Sequence, residues 1–176
     1  GTWNTLDYVY QGSPEPDLFG GIRNVFSYKK WTLDTFAHFS IGNTMFNGSV
    51  AESYYARGAY LNLLPELKDR WTEENYMSDI PRAGTAFGTY VTTNETSFQD
   101  ASFFRLKNVT LTYDLDNPPF VRDASIYVSA QNLLLISDYK WGDPEVSQYG
   151  NQLNRGVSDS SYPYSSSVSL GLNIKF

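Results

Sequence analysis

The last ten residues of the chain alternate without error. Val168, Leu170, Leu172, Ile174 and Phe176 fall on one side of an extended strand, and Ser167, Ser169, Gly171, Asn173 and Lys175 fall on the other. A period of two belongs to a β-strand and to no helix. Such a strand must present one apolar and one polar surface, so whatever it joins has to be two-faced as well. At about ten residues it is also long enough to cross a bilayer when tilted.

The same pattern recurs upstream. Ala124–Leu134 sets Ile126, Val128 and Ala130 against Ser125, Tyr127, Ser129 and Gln131. Phe103–Leu115 sets Val109, Leu111, Tyr113 and Leu115 against Asn108, Thr110, Thr112 and Asp114. Trp31–Phe46 sets Leu33, Ala37, Phe39 and Ile41 against Thr32, Asp34, His38 and Ser40, with Phe36 breaking the order. Gly20–Lys29 carries Ile22, Phe26 and Tyr28 on one side. The spacing therefore predicts about five strands.

Hydropathy does not decide where these strands live. The mean hydropathy is negative, and no run approaches the roughly 18 apolar residues of a membrane-crossing helix. A transmembrane β-barrel gives the same result, because alternating strands never build a long apolar run.

The connections decide more. Lys29–Lys30 is a tight turn and the stretch 116–123, with Pro118 and Pro119, is short. The stretches 47–100 and 137–164 are long. Outer-membrane barrels have short periplasmic turns and long outer loops. With Phe176 at the periplasmic end, both long connections fall outside and both short ones inside. Aromatics gather at the expected strand ends: Phe26, Tyr28, Trp31, Tyr113 and Phe120 toward the turns, Phe103, Tyr162 and Tyr164 toward the loops. Interfacial girdles sit at those levels. Within the first long loop, Ser49-Val50-Ala51-Glu52 matches a capping box and predicts a short helix to about Asn62. Pro65 suits the first turn of another, reaching about Arg70. The stretch 83–100 reads as irregular surface.

Several functions are excluded. A net charge of −6 leaves no basic stripe for nucleic acid. With no cysteine there is no disulfide framework, thiolate metal site or thiol nucleophile. No serine-nucleophile elbow, zinc-protease helix, phosphate loop or calcium-loop spacing occurs. The one histidine, His38, lies on a polar strand face with Asp34 and reads as a hydrogen-bonded residue in a wet interior. Neither an enzyme nor a cofactor is expected.

Local phrases then resemble one family. Asp100–Tyr113, reading DASFFRLKNVTLTY, is similar to a strand of the SusC/RagA family, the TonB-dependent outer-membrane transporters of Bacteroidetes, and Ile126–Leu134 resembles that family's next strand. Asp143-Pro144-Glu145-Val146 matches its DPEV loop and Tyr162-Pro163 the dipeptide before its closing strand. Gly12 through Asn24, Arg70–Asn75 and Ile80–Arg82 resemble further segments in the same order.

The resemblance implies an all-β fold: residues 1–176 as C-terminal strands of a barrel of about 22 strands, with a short helical insertion in a long extracellular loop. The N-terminal plug, the TonB-binding segment, any export signal and the remaining strands are expected outside this stretch. It implies a multi-pass protein of the Gram-negative outer membrane. Such a protein imports oligosaccharides or peptides on energy delivered through TonB, under a SusD-like surface lipoprotein. Asp34, His38, Asn108, Thr110, Thr112, Gln131, Asn173 and Lys175 are then expected to face the lumen, and the apolar face to meet lipid. Trp71, Tyr76, Tyr139, Trp141, Asp143 and Glu145 are candidates to face substrate or lid, with packing of the loops onto the rim as the bland reading of the aromatics. For Asp143 and Glu145 a loop-ordering or cation-binding role is expected. Phe176 is expected to be read by the barrel-assembly machinery. The rival reading is a soluble β-sandwich carbohydrate-binding module, which also shows alternating strands and loop aromatics.

Overall fold

β-Branched and aromatic side chains alternating with Ser, Thr and Asn favour a pleated sheet with two unlike faces. The computed structural model realises that preference and describes residues 8–55, 65–78, 80, 82, 95–116, 120–146, 156–158 and 161–175. The long strands are β1 (Leu18–Tyr28), β2 (Trp31–Ile41), β5 (Phe103–Asp114), β6 (Asp123–Ser137) and β8 (Ser167–Lys175). Between them lie the short strands β3 (Thr44–Asn47), β4 (Phe98–Asp100) and β7 (Val157–Ser158), and the helix α1 (Gly48–Tyr55).

The five long strands form one antiparallel sheet in the order β1-β2-β5-β6-β8. Tyr28 pairs with Trp31 around the two-residue turn, where Lys29 takes a left-handed φ of 54°. Trp31 pairs in turn with Tyr113, their rings 4.6 Å apart. The second short connection sits at the same end. There Lys30 accepts the Asp114 amide through its carbonyl at 2.9 Å, its ammonium meets the Asp116 carboxylate, and the Arg122 amide donates to the Lys175 carbonyl at 2.8 Å. Pro118, Pro119 and Phe176 lie outside the described residues.

Register carries each face across all five strands. Val168–Ala130–Val109, Leu170–Val128–Leu111–Leu33–Phe26 and Leu172–Ile126–Tyr113–Trp31–Tyr28 run in rows on one face. Nothing among the described residues covers that face: Val168, Leu170 and Leu172 are 69%, 76% and 57% exposed. The other face carries Ser27, Thr32, Asp34, Asn108, Thr110, Thr112, Ser129, Gln131, Ser169 and Asn173. Its side chains bond one another: Arg23 to both Asp34 oxygens at 3.0 and 2.6 Å, Ser27 to Thr32 at 3.2 Å, and Ser129 to Thr110 and Asn108 at 2.9 and 3.3 Å. Phe36 pairs with Arg23 and Asn108 on this polar face, which is why it interrupts the alternation.

The buried core lies off the sheet, at the end where the long connections meet. β3 pairs with β4 antiparallel and with β7 parallel, so one small sheet (β4-β3-β7) ties the two long connections together. Met45, Ala101 and Tyr139 pack against one another there, with Val50, Ala51, Asn47 and Ser97 also buried.

Four expectations are corrected. Trp31–Phe46 is two strands, not one. Gly42 adopts φ +88° and turns the chain, and a β-carbon there would run into the Asp17 carboxylate. The helix cap is Asn47, two residues before the Ser49 of the supposed capping box: its Oδ1 accepts the Val50 amide at 3.1 Å. The Glu52 side chain and the helix's expected end at Asn62 lie outside the described residues. The second expected helix is a single 3₁₀ turn, Pro65–Asp69. Finally, two of the three aromatics expected at the loop end of a girdle lie on the polar face, and the third, Tyr162, is exposed. Phe103 is buried on the polar face with its ring 5.1 Å from the His38 ring, and Tyr164 packs on that face as well.

Candidate functional site

A parity break in β5 creates the site. Ala37 pairs with Leu106 and Phe36 with Asn108, leaving Lys107 as the extra residue of a β-bulge. Below the bulge the even residues of β5 face the polar side, and above it the odd residues do. Leu106 and Phe104 accordingly pair on the apolar face with Ala37 and Phe39, while Arg105 pairs on the polar face with His38. The neighbouring β6 absorbs the shift where Asn132 takes φ +50°. The result is a pair of cations, Arg105 and Lys107, with the imidazole of His38 beside them at the loop end of the polar face.

The turn Asp143–Val146 folds onto this cluster. Asp143 and Arg105 pair, and both side chains are nearly inaccessible, at 2% and 3% exposure. Asp143 Oδ1 also accepts the Glu145 amide and Oδ2 the Tyr164 amide, each at 3.0 Å. Glu145 receives Lys107 Nζ at 2.8 and 3.1 Å, and lies 3.0 Å from Arg105 Nε and 3.3 Å from His38 Nε2. The Tyr164 ring stacks under both cations, with Lys107 Nζ 4.4 Å and Arg105 Cζ 5.4 Å from its centroid. A buried Arg–carboxylate pair survives only when its remaining hydrogen-bonding capacity is met, and the amides of Glu145 and Tyr164 meet much of it. The cluster therefore clasps two distant pieces of the long connection between β6 and β8 to the strands.

A cavity of about 500 Å³ opens beside the clasp between Pro14, Phe19, His38, Met45, Phe103 and Glu145. A smaller hollow of about 290 Å³ lies farther out, beside Asp100, Asp138 and Trp141.

The eight residues expected to face a lumen share the polar face: Asp34 pairs with Thr110, Asn108 with Gln131, Thr112 with Tyr127, Asn173 with Ser125, Lys175 with Asp123, and His38 with Arg105. His38 and Asp34 are not partners, since His38 meets Glu145 and Asp34 meets Arg23. The loop candidates separate. Tyr139 is 7% exposed inside the loop core, where burial pushes its hydroxyl pKa upward and Ser158 lies beside it. Tyr76 and Trp141 are exposed and Trp71 is half-buried. The oxygens of Asp143 and Glu145 meet Arg105, Lys107, His38 and backbone amides, contacts that tie the loop to the strands. Among the described residues no group of three or more His, Asp or Glu side chains is placed to hold a metal. Arg105, Lys107 and Tyr164 are the partners the strand reading missed. Two charged residues flanking Leu106, followed directly by polar Asn108, were the signal of a bulge.

No family model matches the chain. It is similar to TonB-dependent receptor P26 of Formosa agariphila, at 38% identity over 184 residues that take in 100% of this chain and 18% of that protein. It is similar to TonB-dependent receptor SusC of Bacteroides thetaiotaomicron, at 26% identity over 96% of this chain and 16% of that protein. Among solved structures it is similar to a chain of the RagAB peptide transporter, with a TM-score of 0.79 and 29% identity over 95% of this chain and 18% of that one. The chain thus spans less than a fifth of the length of these relatives.

Proposed function

The chain belongs to the SusC/RagA family of TonB-dependent receptors, and on that premise we propose that it forms a five-stranded part of the wall of an outer-membrane transporter. The transporter imports oligosaccharides or peptides and is energised through TonB by parts of the polypeptide beyond these residues. A SusD-like surface lipoprotein covers the end where the long connections lie. The whole has no enzymatic role.

One observation carries the reading: a five-stranded antiparallel sheet, open at both edges, keeps a continuous apolar face uncovered and a continuous hydrogen-bonded polar face opposite it. In water an uncovered apolar face of this size is a liability. Against acyl chains it is the required surface, and the polar face then lines a wet lumen. The Trp31–Tyr113 pair with Tyr28 fits the headgroup level at the turn end. Lys175 and Asp123 reach toward the same periplasmic side. The clasp holds the outer loops over the lumen side, which suits a vestibule wall, and Phe176 would present the assembly signal just past Lys175.

The test is migration of the full-length parent on a denaturing gel with and without boiling. A barrel migrates anomalously until boiled. A detergent-free soluble protein of unchanged mobility sinks the reading and favours the β-sandwich binding module. Uptake of labelled oligosaccharide or peptide that persists without TonB would remove the energetic part alone.

A further inference from the structure

The apolar face is hollowed at its loop end. Gly20, Phe39, Phe104 and Ile136 form one row across four strands there. Gly20 carries no side chain, and the tip of the Phe39 ring lies over it, 3.1 Å from where a β-carbon would stand. The face carries a groove of about 590 Å³ at this row, lined by Leu18, Ile22, Phe39, Ile41, Phe104 and Ile136 and reaching Asp138. Its height is set by β2, which has 11 residues from Trp31 to Ile41. They span about 33 Å along the strand and about 25 Å once tilted, the depth of a barrel's apolar band. With Trp31 and Tyr113 at one edge of that band, the groove opens at the other edge, where acyl chains give way to headgroups.

Asp138 joins this groove to the hollow of about 290 Å³, which it lines together with Asp100, Lys140 and Trp141. A ligand that follows both is an amphiphile, apolar along the groove and polar beyond Asp138. Charge specifies the polar part. Two carboxylates and one ammonium stand round the hollow, and the backbone of Lys140 is fixed on both sides. Its amide donates to Gln99 Oε1 at 3.0 Å, and its carbonyl accepts Asn47 Nδ2 at 2.9 Å. A headgroup bearing only phosphates would meet Asp100 and Asp138 as like charges. One bearing an ammonium beside a phosphate meets the carboxylates with the first and Lys140 with the second. The indole of Trp141, 54% exposed, suits the same interfacial level. We propose that groove and hollow together bind one phospholipid whose headgroup carries both a phosphate and a primary ammonium, with an acyl chain along Phe39, Phe104 and Ile136 and the ammonium at Asp138. The inference rests on the reading of the apolar face as the lipid-facing wall of a barrel, and adds to that wall one site selective for a lipid headgroup.

The experiment titrates the full-length parent in detergent with dioleoyl phosphatidylethanolamine, dioleoyl phosphatidylglycerol or lipopolysaccharide, and counts the lipid retained by native mass spectrometry. The two phospholipids share their acyl chains, so comparing them isolates the headgroup. The expected result is one phosphatidylethanolamine held roughly tenfold more tightly than either anionic lipid. Asp138→Asn keeps the shape, removes the charge and abolishes that preference, and Lys140→Gln weakens it. Ile136→Trp fills the groove and releases the lipid whatever its headgroup. The proposal is overturned if the parent prefers phosphatidylglycerol or lipopolysaccharide, or shows no preference. It is equally overturned if Asp138→Asn keeps the preference of the parent, or if Ile136→Trp retains the lipid as the parent does. Heat-modifiable migration is recorded on the same samples. A parent that shifts on boiling but does not select phosphatidylethanolamine removes this inference alone, whereas a parent without the shift removes the barrel reading beneath it.

Discussion

Lys107 Nζ reaches both carboxylate oxygens of Glu145, at 2.8 and 3.1 Å, across 38 residues of sequence. The contact exists because a bulge turns Lys107 to the same face as Arg105 and because Asp143 sets the turn that delivers Glu145. Local strand geometry and a distant loop are therefore coupled through two carboxylates of unequal burial.

That inequality gives the first prediction. Asp143→Ala leaves the almost inaccessible Arg105 without its partner, and breaking a buried pair costs about 3–5 kcal/mol. Glu145→Gln acts on a more exposed group that keeps hydrogen-bonding capacity, so about 1 kcal/mol is expected. Hydrogen exchange of the Tyr164 amide, which donates to Asp143 Oδ2, reads the difference. Protection in Asp143→Ala equal to that of the parent would show that the clasp does not hold the loop.

A second prediction concerns Gly171, on the polar face opposite Tyr127. A β-carbon at Gly171 would collide with the tip of the Tyr127 ring, which lies across the glycine. Gly171→Ala should displace the ring and cost about 1–2 kcal/mol. In a Tyr127→Ser background the same change should cost close to nothing, since alanine suits a strand better than glycine. Denaturant midpoints of the four proteins in the cycle give the coupling, and additive effects would mean the ring does not rest there.

These cases also show what the sequence alone made legible. The alternation in Ser167–Lys175 and Ala124–Leu134 assigned faces correctly, because a regular strand leaves the side chains no choice. The clasp was harder to read. Its cations are recruited by a bulge, where period two fails by one residue, and its carboxylates arrive from a loop that has no period at all. The match of Asp143–Val146 to a family motif marked the place without revealing Arg105 as the partner. Trp31–Phe46 was read as one strand because Gly42 and Asn43 interrupt it for only two residues. Ser49 was read as the helix cap because a capping box is a local pattern, whereas Asn47 is fixed from afar by its bond to the Lys140 carbonyl.

Trp31 and Tyr113 supply a third prediction. Their rings are 4.6 Å apart and tilted by 50°, a contact worth about 0.5–1.5 kcal/mol beyond area burial. A double-mutant cycle with Trp31→Ala and Tyr113→Ala in the full-length parent should return a coupling in that range. The fluorescence difference between the parent and Trp31→Phe should be quenched more by lipid brominated near the headgroup than by lipid brominated near the chain end. Stronger quenching by the deep label would move this row of aromatics out of the interface.

The two faces of β8 make the sharpest test of the barrel reading. Leu170 and Ser169 are adjacent, but Leu170 pairs with Val128 on the apolar face and Ser169 with Ser129 on the polar one. If the apolar face meets the hydrocarbon, Leu170→Arg places a guanidinium near the bilayer centre, at a cost of about 2–4 kcal/mol. Ser169→Arg enters a wet lumen beside hydroxyls and should cost little. The expected outcome is a large loss of heat-resistant, membrane-assembled parent for Leu170→Arg and near-normal assembly for Ser169→Arg. A soluble sandwich that buried the apolar face would also reject Leu170→Arg, so a third variant separates the two. Leu170→Trp adds bulk without charge. Acyl chains accommodate it and assembly stays normal, whereas a close-packed protein core loses about 1–3 kcal/mol to the extra volume. Normal assembly of Leu170→Trp beside failure of Leu170→Arg is the signature of lipid on this face, and failure of both points to protein.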